Sequence, residues 1–257
     1  MPRIALGLEY DGSNFAGWQS QTHARGIQGV VEAALSFVAD HPVAVTAAGR
    51  TDAGVHAASQ VIHFDARTVR SQRAWVLGAN THLDPQISVH WAREVPDDFH
   101  ARYSALARHY RYRILNRQQR PSLEHQRVCW VRQPLDHRIM HEAAQSLVGQ
   151  HDFSSFRSAQ CQSPTAVRCL QSITLERSGD YVVMDVVANA FLHHMVRNIA
   201  GVLIAIGRSV RPVGWAAEVL QARDRAKGGV TAVPSGLYLV GVKYDAVFDL
   251  PSWVGLS

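Results

Sequence analysis

One ten-residue segment, residues 48–57, holds the side chains best suited to chemistry. It places Arg50, Asp52 and His56 within seven residues of one another and contains two glycines. Glycine lets the backbone adopt positive φ and lets another molecule approach closely. An arginine near a carboxylate keeps that carboxylate ionised at neutral pH, so Asp52 is a candidate nucleophile or general base. The alternative is that the Asp52 side chain only caps a turn.

Two predicted strands must position this segment. Residues 43–45 form a short apolar run, and residues 60–64 alternate in a strand pattern. Upstream, residues 3–10 also predict a strand, and the apolar spacing over residues 27–38 predicts a helix that ends before Pro42. The segment that carries Asp52 is therefore predicted to be a loop between strands of an α+β fold.

The same order of elements recurs in the second half of the chain. Residues 109–115 predict a strand, and a long apolar helix is predicted over residues 191–206. This repeat of pattern, without a repeat of sequence, indicates two related α+β halves. We predict one domain over residues 1–104 and a second over residues 105–257.

The composition is that of a basic protein. The 26 Lys and Arg residues outnumber 21 Asp and Glu residues, the formal charge is +5, and only Lys227 and Lys243 are lysines. Arginine suits phosphate because its planar guanidinium group donates two parallel hydrogen bonds. A GC-rich genome would also favour arginine codons. The pI near 9.4 therefore suggests an anionic partner without identifying one.

Cysteine spacing and hydropathy indicate a cytoplasmic protein. The three cysteines have no CxxC spacing, which disfavours a disulfide framework and a zinc site. Apolar runs stay well short of the roughly 20 residues that span a bilayer. The N-terminal residues run directly into a predicted strand rather than into a secretory signal. We therefore expect a soluble, cytoplasmic protein without a membrane partner.

The strand predicted over residues 109–115 carries aromatic and basic side chains on opposite faces. Tyr110 and Tyr112 alternate with Arg111 and Arg113. This combination can stack on bases while it holds phosphates. An ordinary half-buried strand with a solvated arginine face has the same pattern, so the strand alone leaves both interpretations open.

The predicted helix over residues 191–206 contains two adjacent histidines and an arginine. On a helix the side chains of His193 and His194 diverge by about 100°, which disfavours a shared metal ion. Arg197 lies one turn further along, and a buried arginine needs a partner because an unpaired buried charge is strongly destabilising. That partner is either a carboxylate of the core or the carboxylate of the active site.

Seven segments, in order along the chain, resemble the tRNA pseudouridine synthase A family. The resemblance covers almost the whole chain, from Leu6 to Tyr244. One such motif has little specificity, whereas seven collinear motifs are highly specific, and they replace the turn-cap interpretation of Asp52. They are residues 10–12 with 17–19, residues 49–57, 98–102, 111–113, 151–153, 191–198 and 236–239.

The resemblance implies an isomerase that converts uridine to pseudouridine in tRNA. It implies action at tRNA positions 38, 39 and 40 of the anticodon stem-loop, with no cofactor and no metal ion. It also implies a homodimer with a basic cleft. Each subunit would contain two fused α+β domains of the RNA-recognition-motif type, which share a mixed, mainly antiparallel sheet with a central cleft.

The resemblance also assigns roles by position. Asp52 matches the catalytic aspartate, Arg50 would hold or gate it, and Arg197 would pair with it from the second domain. Tyr110 would stack on the target base, and Leu237 would pack against that base. We take three more residues as candidate substrate contacts: His56, Arg111 and Arg113.

The implied chemistry suits these residue types. Pseudouridine formation breaks the C1′–N1 bond, rotates the uracil and joins C5 to C1′, so nothing is oxidised and no phosphate is transferred. An ionised carboxylate can attack C1′, attack C6 or remove the C2′ proton, and the sequence leaves these routes open. The uridine must leave its stack at a cost of a few kcal/mol, which a tyrosine platform partly offsets.

Two other classes of function remain as alternatives. One is a non-catalytic RNA-binding protein built from paired sheet platforms, and the other is a carboxylate-dependent hydrolase that acts on a small nucleoside. Binding alone needs no carboxylate that faces RNA, which argues against the first. The many arginines and aromatic residues argue against the second.

Overall fold

The computed structural model describes residues 1–21 and 23–251, and its chain divides into two compact units. The first unit contains residues 1–106 and the described residues from Tyr238 onward, and the second contains residues 107–237. The predicted α+β class, with mainly antiparallel strand pairing, is confirmed. The units differ from the predicted ranges at the C-terminal end, because the last strand pairs with a strand of the first unit.

The described residues contain ten strands and five α-helices. The first unit contains β1 (Arg3–Tyr10), α1 (Ile27–Ala39), β2 (Thr46–Ala47), β3 (His56–Asp65), α2 (Gln72–His82) and β4 (Ile87–Val95). The second contains β5 (Ala107–Asn116), β6 (Cys129–Val131), α3 (His137–Gln145), β7 (Gly149–Asp152), β8 (Val167–Ser178), β9 (Tyr181–Ala188), α4 (Met195–Gly207) and α5 (Trp215–Ala222). The last strand is β10 (Leu237–Lys243).

The sheet of the first unit has the strand order β4-β1-β3-β10, and β2 pairs with β3. β1 is antiparallel to both neighbours, whereas β10 runs parallel to β3 through the pairs Tyr238↔His56 and Leu239↔Ala57. This pairing places the start of β3, where the loop of Asp52 ends, in the interior of the sheet.

Both faces of this sheet are covered. The α2 helix packs against β4 and α1, and Trp75 of α2 meets Phe64 of β3 edge-on at 5.1 Å between ring centroids. A cluster of buried hydrophobic residues contains Val61 and Phe99. Tyr244 and Phe248 of the C-terminal segment pack against this cluster. Five consecutive β1 residues, from Ile4 to Leu8, are buried for this reason.

The sheet of the second unit has the strand order β5-β9-β8-β7, all antiparallel, and β6 runs parallel to β5. Helix α3 packs against β8 and α4. The burial of β9 alternates strictly, with Val182, Met184, Val186 and Ala188 buried. The intervening residues of β9, among them Asp185, are half-buried. One face of this sheet therefore forms the core, and the other carries polar as well as apolar side chains.

Two local predictions were wrong. The strand predicted over residues 43–45 lies at Thr46–Ala47. The helix predicted from residue 191 begins only at Met195, because His194 adopts a left-handed backbone with φ of +64° that a helix interior does not accept. The short strand β7 and the helix α5 were not predicted.

Candidate active site

The loop between β2 and β3 presents Asp52 at a tight turn. The Val55 amide donates to the Asp52 carbonyl at 3.1 Å, and Gly54 adopts a φ of +75°, a conformation that glycine accepts without steric cost. Asp52 is half-buried and Arg50 is exposed. The turn thus holds the carboxylate where a substrate can reach it.

The preceding loop, residues 11–19, supports the backbone of this turn. The Trp18 amide donates to the Thr51 carbonyl at 2.9 Å. Gly17 has a φ of +97°, and a Cβ atom there would lie 2.7 Å from the same carbonyl. A Cβ atom at Gly12 would lie 2.0 Å from the Val55 carbonyl. The two glycines therefore serve the close approach of the two loops.

A buried hydrogen-bond network lies behind the turn. The Tyr10 hydroxyl lies 2.9 Å from Thr51 Oγ1 and accepts from Gln60 Nε2 at 3.3 Å. The Gln60 amide also donates to the Gly49 carbonyl at 2.7 Å. Burial raises the pKa of Tyr10 to about 12, although its hydrogen bonds oppose the shift. The phenol therefore stays protonated at neutral pH.

His56 lies at the end of the loop and is only 2% exposed. Its Nδ1 accepts from the Gly12 amide at 3.1 Å, and its ring stacks on Tyr238 with 4.6 Å between centroids. The structure thus surrounds this predicted substrate contact with protein groups and gives it a role in holding the first loop.

Arg50 lies two residues before Asp52 in the same loop. It is exposed, where its guanidinium group can meet a phosphate. Its role in holding or gating Asp52 stays a prediction.

In the second unit, β5 separates its tyrosines from its arginines as predicted. Tyr110 and Tyr112 are buried, and the Tyr110 ring meets Phe191 edge-on at 5.0 Å. Arg111 donates to Asp185 at 3.0 and 3.2 Å, and Arg113 donates to Glu124 at 2.8 Å. Each arginine is thus bound to a carboxylate of its own unit, as in a structural strand.

Asp185 is the centre of that polar face. His109 Nε2 lies 2.7 Å from its carboxylate, on the side of the sheet that also carries Arg111. Burial by itself would raise the pKa of Asp185, but the hydrogen bonds from His109 and Arg111 outweigh it and leave the pKa lowered. This carboxylate is therefore ionised at neutral pH and neutralises part of the basic face.

Comparison with known proteins identifies the family. The model of the tRNA pseudouridine synthase family matches residues 8–104 and 143–245, well over half of the chain. The chain belongs to this family. Three similar relatives are each named tRNA pseudouridine synthase A. The Nitrosococcus oceani protein is 60% identical (97% of this chain, 96% of the relative), the Methylococcus capsulatus protein 58% (96% and 92%) and the Pseudoalteromonas atlantica protein 55% (97% and 95%).

Membership of the pseudouridine synthase family confirms that the protein is an enzyme and an isomerase. The relatives align over nearly their full length, so the resemblance that the seven motifs carried is confirmed over almost the whole chain. In the part of the chain that the structure describes, none of the helices is long and apolar enough to cross a membrane.

Two further residues predicted for the site lie in the second unit of this synthase. Arg197 is half-buried on α4, and its Nε donates to the Ala232 carbonyl at 2.9 Å, while the Ala232 amide donates to the Arg197 carbonyl at 3.1 Å. Leu237 begins β10 and is buried. It follows Gly236, where a Cβ atom would lie 2.7 Å from the Arg113 carbonyl. The backbone of Ala232 therefore holds Arg197, and Leu237 directly follows a point of close backbone approach.

The histidines before α4 also differ from expectation. The rings of His193 and His194 lie 4.0 Å apart between centroids instead of diverging, because both residues precede the first helical residue. The argument from helical spacing against a shared metal ion was therefore wrong in its premise. The expectation that the synthase uses no metal rests on the resemblance to its family.

Sequence reasoning missed Tyr10, Thr51 and Gln60 as members of the site. Gln60 is fully buried, although it was interpreted only as part of an alternating strand. Its signal in the sequence is a polar side chain next to an apolar run, at a strand position that faces the core. Buried amides are almost always hydrogen-bonded, so this position calls for a specific partner.

Proposed function

We propose that this protein isomerises uridine to pseudouridine in tRNA, at positions 38, 39 and 40 of the anticodon stem-loop. Membership of the tRNA pseudouridine synthase family supports the reaction and the class of substrate. The three positions come from the resemblance of the seven motifs to the A-type family. We further propose that the enzyme works in the cytoplasm without a cofactor or a metal ion.

The observation that carries the proposal is the environment of Asp52. Its carboxylate is half-buried at a turn whose backbone is held by Val55 from within the loop. Trp18, from the first loop, holds the neighbouring Thr51. A carboxylate held in this way can act on a ribose or a base without first being ordered, which is the advantage of preorganisation. Asp52 is proposed as the nucleophile that attacks C1′ or C6, or as the base that removes the C2′ proton.

We propose base extrusion as the way in which the uridine reaches Asp52. A target atom within a stacked stem is inaccessible, and enzymes that act on bases take the nucleotide out of the stack. Tyr110 is proposed to stack on the extruded base, and Leu237 is proposed to pack against it. Arg197 is proposed to pair with Asp52, and Arg50 is proposed to gate the site through its exposed guanidinium group.

We also propose substrate-binding roles for Arg111, Arg113 and His56. Arg111 and Arg113 already bind Asp185 and Glu124, so a phosphate must compete with a carboxylate for each of them. His56 is buried and is proposed to act on the substrate through the loop that it orders.

A direct assay tests the proposed function. Unmodified tRNA is incubated with the protein in the presence of a chelator, and pseudouridine is mapped by reverse transcription after carbodiimide treatment. We expect modification at positions 38, 39 and 40 and nowhere else in the tRNA. Transcripts with cytidine at these three positions serve as the matched control. Modification only outside the anticodon arm, or only after metal is restored, would contradict the proposal.

The same assay separates the alternatives. A non-catalytic RNA-binding protein would retain the tRNA on a filter but leave its uridines unchanged. A nucleoside hydrolase would release free uracil and leave an abasic site. An isomerase retains every atom of the substrate, so it would release no uracil and leave no abasic site. Membership of the pseudouridine synthase family favours this outcome.

We predict that tRNA binding is dominated by phosphate contacts. Support comes from 26 Lys and Arg residues and from exposed arginines in both units, among them Arg50, Arg67, Arg73, Arg120, Arg138 and Arg208. If about five phosphates are neutralised, log K should fall with a slope of about −4 to −5 against log[salt]. Filter binding from low to physiological salt measures this slope. A slope near zero would contradict a basic binding surface.

We predict that the protein is a homodimer, as the family resemblance implies. Sedimentation equilibrium at micromolar concentration should give about twice the monomer mass of 28.4 kDa. A mass that stays near 28.4 kDa over this range would refute the dimer.

A further inference from the structure

The network of Tyr10, Thr51 and Gln60 meets the loop on both sides of Arg50, at Gly49 and at Thr51, the residue before Asp52. Gln60 lies on β3 and contacts Gly49, the residue before Arg50. Tyr10 is the last residue of β1 and contacts Thr51, the residue before Asp52. Tyr10 is 3% exposed, Thr51 6% and Gln60 0%. The network is therefore shielded from water, so a hydrogen bond that is lost from it is not replaced by one to water.

Both ends of the Gln60 side-chain amide are hydrogen-bonded in this arrangement. Its Oε1 accepts from the Gly49 amide at 3.4 Å, and its Nε2 donates to the Gly49 carbonyl at 2.7 Å. The second Nε2 proton goes to the Tyr10 hydroxyl at 3.3 Å. A side-chain amide thus pairs with Gly49 as the backbone of a neighbouring strand would, at a point where the loop leaves the sheet.

The remaining hydrogen bond of the network joins the Tyr10 and Thr51 hydroxyl groups. The Tyr10 oxygen accepts from Gln60, so its single proton is available for Thr51 Oγ1, which lies 2.9 Å away. The raised pKa of Tyr10, caused first by burial, keeps that proton on the phenol. Thr51 therefore has both its carbonyl and its hydroxyl held, the carbonyl by the Trp18 amide.

We propose that Tyr10 and Gln60 are positioning residues, which hold the loop backbone around Arg50 and Asp52 in the arrangement that catalysis requires. They act through Gly49 and Thr51 and need not touch the substrate. This inference rests on the proposed function for its effect on rate. Its effect on the loop itself is independent of that function.

The test compares two tyrosines that each lose only a hydroxyl group. Tyr10→Phe keeps the ring and removes the hydrogen bonds to Thr51 and Gln60. Tyr244→Phe is the matched control in the same unit, because the Tyr244 hydroxyl donates at 2.6 Å to the carbonyl of Ala101, a residue outside the loop. Both variants are assayed for tRNA affinity, for the single-turnover rate and for amide hydrogen exchange of residues 49–55.

We expect Tyr10→Phe to slow the single-turnover rate by about 10-fold, and by up to about 100-fold if the loop shifts by about 1 Å. Its tRNA affinity should stay within about twofold of wild type, since the phosphate contacts remain. Exchange of the Gly49 and Val55 amides should become faster. Tyr244→Phe should change none of these three readouts, even if both variants lower the melting temperature alike.

A second pair of variants covers the case in which Tyr10→Phe does not fold. Thr51→Val keeps the shape of the side chain and removes the hydroxyl group, whereas Thr51→Ser keeps the hydroxyl group. Thr51→Val should reproduce the loss of rate and the faster exchange, and Thr51→Ser should restore most of both. In the double variant Tyr10→Phe/Thr51→Val, the two losses should not multiply, because one hydrogen bond joins the two residues.

The outcomes distinguish this inference from the proposed function. Unchanged loop exchange with a rate within about twofold of wild type in both Tyr10→Phe and Thr51→Val overturns the positioning role. Faster exchange confined to these variants supports the positioning role even if wild type forms no pseudouridine. In that last case the proposed function has failed and the positioning of the loop has not.

Discussion

Asp52→Asn is expected to abolish pseudouridine formation while tRNA binding stays nearly intact. Asparagine keeps the shape of the side chain at the turn but removes both the nucleophilic oxygen and the charge. Loss of a group that acts directly on the reacting atoms typically costs more than about 1000-fold in rate. The measurement is a single-turnover assay with enzyme in excess over tRNA, together with filter binding of the same tRNA.

A matched control keeps the change in net charge constant. Asp40→Asn removes one carboxylate at the exposed residue after α1, where φ is +60° and asparagine is well tolerated. Its rate should equal that of wild type. Residual turnover of Asp52→Asn above a tenth of the wild-type rate would contradict the assignment of Asp52, and an equal loss in both variants would attribute the effect to charge alone.

Tyr110→Ala is expected to slow the chemical step by about 5- to 150-fold. Base–aromatic stacking is worth about 1–3 kcal/mol by alanine substitution, and each 1.4 kcal/mol corresponds to about a tenfold change in rate. Tyr110→Phe keeps the aromatic face and should stay within a few-fold of wild type. Single-turnover rates of the two variants provide the comparison.

The hydroxyl group of Tyr110 offers a competing explanation, since it could remove the C5 proton after the base is rejoined. Equal and severe losses in Tyr110→Phe and Tyr110→Ala would exclude pure stacking and assign proton transfer to Tyr110. Tyr112→Phe is the control on the same strand. Its hydroxyl group donates to the Val233 carbonyl at 2.7 Å, so its loss should affect stability more than the chemical step.

The sequence by itself determined the family, the fold class and the position of the proposed catalytic aspartate. Asp52 could be identified as a candidate because the charged residues and glycines around it are neighbours in the sequence, so no knowledge of the fold is needed to see them together. Regular elements such as α1 and β5 followed from the periodicity of their apolar residues, since burial on one face leaves a period in the sequence.

Only the tertiary structure decided which groups meet. Burial of β1 on both faces depends on the C-terminal segment around Phe248, some 240 residues away along the chain. The pairing of Arg111 with Asp185 joins two strands, and the late start of α4 depends on the backbone conformation of His194. The hydrogen bonds of Gln60 to Gly49 and Tyr10 likewise join residues of separate elements. Such contacts are set by packing and strand register, which a local pattern of residue types does not encode.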